Sequence, residues 1–346
     1  MSKEIPKAYF GVDTAPADIL PFLWRKSIEP FFDATPVEKT QDPRTLPRLQ
    51  QYHLGKSLFM ESQFPGQRFV RDRAWMQQHD DVDHLSLQLF ARGENRVVNG
   101  GHDFVEKAGN IYAVNLAYEV KAESTDSEVF LLVLPRSLIM DAVPHLATVR
   151  GPLFAPGSFS ARIFVDYMQS LRTNLAVATR DEVSTIIEST LGLLDSLTRH
   201  HDVGSSQAEG HAIGTACRHI ERNLKDPALS VDSICAHLQC SRATLYRLFK
   251  RHGGVQDYIQ RRRLMACFKA IRAAKNAHRL IYDIAMDFGF TSPSHFSHLF
   301  RGQFGMTPRE ARAAAVDQKT FTVPVEGLGL DDGERMWLWA KTLAAV

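Results

Sequence analysis

Residues 234–241, ICAHLQCS, return as residues 284–291, IAMDFGFT, at an offset of 50. One residue is then inserted, and residues 245–250, LYRLFK, return as residues 296–301, FSHLFR, at an offset of 51, with Gly254 matching Gly305. An internal repeat constrains architecture before any single element is assigned. Each copy predicts a short helix, a turn, and a second helix that closes near a glycine. Ser230 and Asp232 precede the first short helix, and Ser241 is placed to cap the next. In the second copy Ser292 is the N-cap and Pro293 takes the first helical position, where its missing N–H is no loss.

Both second helices are amphipathic. Leu245, Leu248 and Phe249 form the apolar face of one, and Phe296, Leu299 and Phe300 that of the other. The opposite faces carry Arg242, Thr244, Arg247, Lys250 and Arg251, then Ser294, His295, His298 and Arg301. These side chains suit base edges and phosphates. A short helix fits the major groove, where each base pair shows its own donor and acceptor pattern and arginine pairs with guanine. The expectation is two helix-turn-helix motifs, at about residues 231–252 and 281–304. A connecting helix over residues 255–274 would set them on successive grooves about 34 Å apart. Within it, Arg261, Arg262 and Arg263 read either as phosphate contacts or as a solvated side.

Charge supports a polyanionic partner. Residues 211–316 hold 17 basic against 7 acidic residues, whereas residues 1–210 carry a net −6 and residues 317–346 a net −2. Double-stranded DNA is the leading partner for such a basic segment attached to a mildly acidic one.

A chain of 346 residues predicts about two domains. With 44% hydrophobic and 23% charged residues, the composition is that of a globular protein, not a disordered or fibrous one. Apolar runs such as residues 129–134 fall far short of the roughly 18–20 residues that cross a bilayer, and residues 1–10 lack a signal-like apolar stretch. The expectation is a cytoplasmic protein with no membrane partner. The four cysteines, Cys217, Cys235, Cys240 and Cys267, read as reduced core thiols.

The stretch HHDVGSSQAEG, residues 200–210, is small and polar and reads as a linker. Before it, Leu85, Leu87 and Leu89 alternate with Ser86 and Gln88, Asn99-Gly100-Gly101 forms a turn cluster, and residues 128–134 make a short apolar run ending at Pro135. Strands of this kind suggest a sandwich or barrel. Two amphipathic helices follow, one with Ile163, Tyr167, Met168, Leu171 and Leu175, the other with Ile186, Ile187, Leu191, Leu194 and Leu197. They can complete the core or meet a second copy of the chain. The expected layout is a sensing and pairing domain over 1–199, a linker over 200–210, a DNA-binding domain over 211–316 and a tail over 317–346.

Residues 284–312, IAMDFGFTSPSHFSHLFRGQFGMTPREAR, resemble the signature of the AraC/XylS transcription regulators, and residues 241–250 resemble that family's first recognition helix. The resemblance spans about residues 215–312. It implies base contacts from Ala243, Tyr246 and Arg247 in the first motif and from Ser294, Ser297 and His298 in the second. Arg242, Lys250 and Arg301 would then touch the DNA backbone. Ala311 departs from the family, which usually has an aromatic there. His298 stands where an arginine is common, which implies weaker or pH-dependent readout. The first half resembles the family more weakly, through residues 104–120, with Ala108-Gly109-Asn110 in place of a Pro-Gly-Asp turn, and through VFLLVLPR at 129–136. The implied fold class is α+β: an N-terminal cupin-like β-barrel with two helices and a C-terminal all-α double helix-turn-helix domain. The implied function is an effector-responsive activator that engages RNA polymerase, responds to a small organic compound and forms a homodimer.

The alternative is a cupin-like metal enzyme with an appended DNA-binding domain. His79, His84, Glu94 and His102 lie in one stretch but contain no His-x-His pair. Cys235, His237 and Cys240 approach a zinc spacing, yet the repeat sets Cys235 opposite Ala285 and Cys240 opposite Phe290, which reads as packing. No Gly-x-Ser-x-Gly, Walker or Rossmann motif is present, and no cofactor is expected. Phe59, Phe64, Phe69, Trp75, Phe90, Phe104 and Tyr112 are the aromatic residues that could line an effector pocket, with most expected to be plain core. In the tail, Met336, Trp337, Leu338 and Trp339 are too apolar to stay exposed and predict a docked short helix.

Overall fold

Strands with apolar residues on both faces dominate the first half of the chain, so their sheet needs cover on two sides. The computed structural model describes residues 4–37, 46–78, 82–198, 207–250, 254–304 and 306–317, together with Met336 and Trp339. Its first elements are β1 (Lys7–Phe10), α1 (Leu20–Ile28), β2 (Asp33–Pro36), β3 (Arg48–Leu54), β4 (Ser57–Phe64), β5 (Gln67–Arg71) and α2 (Arg73–Gln78). Next come β6 (Leu85–Arg92), β7 (Glu94–Asn99), β8 (His102–Lys107), β9 (Ile111–Asn115), β10 (Val120–Ser124) and β11 (Ser127–Leu134). Then follow α3 (Arg136–Ala142), β12 (Gly151–Pro152), α4 (Phe159–Asn174) and α5 (Val183–Thr198). The remainder is helical: α6 (Gln207–Arg222), α7 (Val231–Leu238), α8 (Arg242–Phe249), α9 (Val255–Arg272), α10 (Ile281–Asp287), α11 (Pro293–Phe304) and α12 (Pro308–Asp317).

The strands form two antiparallel sheets, one of seven in the order β1-β3-β4-β11-β6-β9-β12 and one of five in the order β2-β5-β10-β7-β8. This is an α+β chain. The expected barrel appears instead as two sheets, since among the described residues no strand pairing joins one sheet to the other. Side-chain alternation sorts the larger sheet into two cores. Leu85, Leu87, Leu89, Phe130, Leu132 and Leu134 face the helices. Phe90, Val129 and Val133 face the smaller sheet, where they meet Val97 and Val120. Ser86 and Gln88, which alternate with the leucines, are therefore buried too.

The helix-side core continues without a break into the second half of the chain. Phe164 and Met168 of α4 and Leu194 of α5 join Cys217 and Ile220 of α6, then Ile234, Leu245 and Phe249, then Phe268, Phe296, Phe300 and Phe304. The helix α6 begins at Gln207, inside the expected linker, and residues 199–206 lie outside the described ones. It packs closely because Gly214 has no side chain: a Cβ there would stand 2.7 Å from the His145 amide nitrogen. Ala311 is buried in the same core, so a small residue suffices at that position.

Both copies of the repeat fold alike. Ser230 caps α7 by accepting from the Ser233 amide, and Ser241 caps α8 by accepting from the Thr244 amide. Ser292 caps α11 by accepting from the His295 amide. Between the paired helices the chain turns through left-handed backbone at equivalent positions, Gln239 (φ 51°) and Gly289 (φ 80°). The next amide then reaches back five residues in each copy, Cys240 to the Cys235 carbonyl and Phe290 to the Ala285 carbonyl, both at 3.1 Å. That closure satisfies carbonyls that a helix end would otherwise leave open. Gly305 lies outside the described residues.

Beyond Asp317, two residues of the tail are described. Met336 and Trp339 are both helical and buried. Met336 packs in the core between the sheets, where the Ser27 hydroxyl approaches its sulfur at 3.8 Å. The Trp339 ring lies 5.4 Å from that of His53. Trp337 and Leu338 lie outside the described residues.

A glutamine pays a steric cost in left-handed backbone that glycine does not, about 1 kcal/mol. The substitution Gln239→Gly should raise stability by up to about 1 kcal/mol in denaturant titrations, whereas Gly289→Ala should lower it by at least as much.

Candidate nucleic-acid interface and internal cavity

Helices α8 and α11 turn their apolar sides inward, which leaves the polar sides in solvent. On α8, Leu245 and Phe249 are buried while Arg242, Ala243, Tyr246, Arg247 and Lys250 are exposed. Thr244 is half-buried and engaged at the N-cap, its hydroxyl 2.9 Å from that of Ser241. On α11, Phe296 and Phe300 are buried while Ser294, His295, Ser297, His298 and Arg301 are exposed. Helix α2 lies against α11 without covering those five residues. Arg242 is held by a two-point ion pair to Asp232, with Nε 2.6 Å from Oδ1. Its guanidinium is therefore oriented but half-neutralised. Arg251 lies outside the described residues.

The helix between the motifs, α9, is anchored to the first half of the chain by buried charge. Asp83, only 2% exposed, sits just before β6 and receives Arg262 at 3.0 Å and Lys269 at 3.2 Å. Arg262 also pairs with Glu221 of α6. Arg136 of α3 donates to the Tyr258 hydroxyl at 2.7 Å and to the Ala147 carbonyl at 3.2 Å. Burial alone would raise the Asp83 carboxyl, but Lys269, Arg262 and Arg136 hold it well below the usual carboxylate range. Arg262 and Arg263 are thus neither free phosphate sites nor a solvated side. Arg262 is in this cluster, Arg263 donates to the Leu224 and Asp226 carbonyls, and Arg261 is half-buried.

Between the sheets lies a cavity of about 70 Å³. Phe64, Phe69 and Phe90 line it, with Trp24 and Phe31. Phe59 does not, because on β4 it has the opposite parity to Met60 and Phe64 and points into the helix-side core. Phe104 and Tyr112 share the inner side but stack on each other, ring centres 6.3 Å apart, and are not lining residues. Trp75 is half-buried on α2, also away from the lining. The polar lining residues are Ser62, Ser86, Gln88 and Asn95, which a search for aromatic side chains passes over. The available signal was strand parity: Ser86 and Gln88 alternate with leucines, and Asn95 shares the inward parity of Val97.

Beside the cavity, Glu106 lies opposite Asn95 across the β7–β8 pair and accepts its Nδ2–H at 2.7 Å. Burial pushes the Glu106 carboxyl up to about 8, against the lowering effect of that hydrogen bond. Arg71, fully buried, donates to the carbonyls of Leu116, Phe31 and Val82. Leu116 and Phe31 line the cavity, and Val82 precedes Asp83.

The metal alternatives find no cluster. Among the described residues no group of three or more His, Cys, Asp or Glu side chains is arranged to hold an ion. His79 lies outside them. His237 stacks on His219 at 4.0 Å, facing α6 rather than completing a site with Cys235 and Cys240. No helix of the described residues is long and apolar enough to cross a membrane.

Comparison with known proteins agrees with the duplicated motif. A family model described as a helix-turn-helix domain matches residues 234–314. The regulatory protein SoxS of Escherichia coli (strain K12) is 37% identical over 95 residues, which is 27% of this chain and 85% of SoxS. The transcriptional activator RhaS of Escherichia fergusonii is 38% identical over 87 residues, 25% of this chain and 30% of RhaS. Among solved structures, the AraC-like transcriptional activator CuxR is similar at 24% identity and a TM-score of 0.48, over 70% of this chain and 89% of CuxR. A duplicated helix-turn-helix with exposed basic and polar reading faces defines a DNA-binding transcription regulator. This chain belongs to the AraC/XylS family of such regulators. It is a DNA-binding transcription regulator of that type, and the metal-enzyme alternative gives way to the family assignment.

Two titratable groups generate measurable consequences. Asp83→Asn leaves Arg262 and Lys269 without their buried anion and should cost roughly 3–5 kcal/mol of unfolding free energy. For Glu106, the folded state keeps its proton to higher pH than the unfolded chain does. The group therefore costs nothing below its ordinary value of 4.5 and a growing amount as pH rises toward about 8. The stability gain of Glu106→Gln over the parent should increase across that window, read from unfolding midpoints at each pH.

Proposed function

We propose that this regulator is an activator that reads DNA through α8 and α11 and is controlled by a small organic effector held between its sheets. The observation that carries the DNA reading is the pair of exposed polar faces set on equivalent turns and cores. Arg247 and Tyr246 with Ala243, then His298, Ser297 and Ser294, are the base-reading residues. Arg242, Lys250, Arg301, Thr244 and His295 serve the backbone and the helix starts. Helix α9, about 27 Å long at 1.5 Å per residue, is the spacer between the two reading heads.

The domain scheme of a sensing part over 1–199 and a DNA-binding part over 211–316 fits this division of labour, with the expected 200–210 linker shortened because α6 starts at Gln207. The two facing sheets serve as a cupin-like container, and Phe69 and Phe90 are its aromatic effector contacts. Helices α4 and α5 are the surface for a second copy of the chain, RNA polymerase is the protein partner at the promoter, and the setting is cytoplasmic. Regulation needs an effector that binds one conformation better than another. The route supported by the contacts runs from the cavity through β6 and Arg71 to Asp83, and from Asp83 to α9.

The test is DNA binding by purified protein. Arg247→Ala should cost about 1–3 kcal/mol on the operator and little on random DNA; equal losses on both would make Arg247 a phosphate contact. Log affinity should fall with log salt at about −0.9 per phosphate neutralised, and a flat line would remove the electrostatic basis of the reading.

A further inference from the structure

The cavity between the sheets has a chemistry that selects its occupant. Among the described residues none that lines it carries a charge. Its walls are aromatic and aliphatic, so an anion entering it would lose its hydration and gain no counter-ion, a cost of several kcal/mol. The polar lining atoms are mostly engaged. The Ser62 hydroxyl donates to the Val129 carbonyl at 3.2 Å, and the Gln88 amide approaches the Ser86 hydroxyl at 3.5 Å. Asn95 differs. It is 6% exposed, its Nδ2 is committed to Glu106, and among the described residues its Oδ1 has no hydrogen-bond partner once the Glu106 carboxyl beside it has given up its proton. Inward-facing Asn95 and Val97 share one side of β7, so the amide stands on the cavity side of its strand.

We propose that the occupant is a neutral, largely apolar molecule of about one ring, bearing an O–H or N–H donor that Asn95 Oδ1 accepts. The inference rests on the effector reading above and adds the ligand's chemical class. A buried acceptor left without a partner costs about 1–3 kcal/mol, so a donor that satisfies it gains affinity over an isostere that cannot. Size follows from the space. About 70 Å³ is less than the roughly 150 Å³ that takes benzene in a dry cavity, so part of a ring must occupy the mouth, where Phe32, Phe69 and Ala122 are half-buried. Glu106 flanks Asn95 and offers no positive charge to an anion.

The experiment is calorimetric titration of the full chain at pH 9, where Glu106 has given up its proton and cannot donate to Asn95 Oδ1, with phenol, toluene, benzaldehyde and benzoate, which differ in donor, acceptor and charge at nearly constant size. Phenol should bind at one site about tenfold tighter than toluene or benzaldehyde, and benzoate should show no saturable binding. Asn95→Ala should bring phenol to the toluene level while toluene keeps its affinity, a pattern that loosened packing would not produce. Ala122→Leu, at the mouth, should weaken phenol and toluene together. Benzoate or benzaldehyde binding as tightly as phenol, or a phenol-to-toluene ratio unchanged by Asn95→Ala, overturns the donor class and leaves an effector cavity standing. Failure of all four compounds to bind overturns both.

Discussion

A strand with apolar residues on both faces has no side left for water, so the larger sheet must be covered twice. On one side it takes the smaller sheet, and on the other it takes α3 to α6 and, through them, the helix-turn-helix region. Much else follows from that double burial. The inner face is where a cavity arises, because two twisted sheets cannot fill the gap between them uniformly with aromatic side chains. The outer face is where the DNA-reading half is attached. One strand, β6, therefore carries cavity residues and core leucines in alternation, and its lead-in carries Asp83.

The buried ion cluster around Asp83 turns attachment into alignment. Apolar packing tolerates sliding, whereas a carboxylate held by Arg262 and Lys269 has few positions of low energy once water is excluded. Arg71 adds a second link by holding three backbone carbonyls from separate segments, two of them at the cavity. These contacts join the space between the sheets to α9, the helix between the two motifs, through polar groups.

How much of this was legible in the chain itself varies with the range of the interactions. The repeat, its serine caps and its apolar spacing were readable because each is set within about four residues, and the structure reproduces them down to equivalent left-handed turns at Gln239 and Gly289. The exposure of Arg247 and His298 followed from the same periodicity. The cavity was only partly readable. Phe69 and Phe90 line it, but Phe59 falls on the wrong side of β4, and nothing local distinguishes an aromatic that faces one core from an aromatic that faces another. The polar residues of the lining were hidden because polar residues that alternate with leucines ordinarily signal a solvated face.

The amino-acid order alone determined the duplicated reading unit, its basic surplus and its family, since those depend on spacing along one chain. Only the tertiary structure decided that the strands form two sheets, that α6 starts inside the expected linker and packs on the first half, and that Arg262 is an internal anchor instead of a DNA contact. The reason is physical. Asp83 and Arg262 are 179 positions apart, and no local pattern in the sequence encodes which buried charge will meet which.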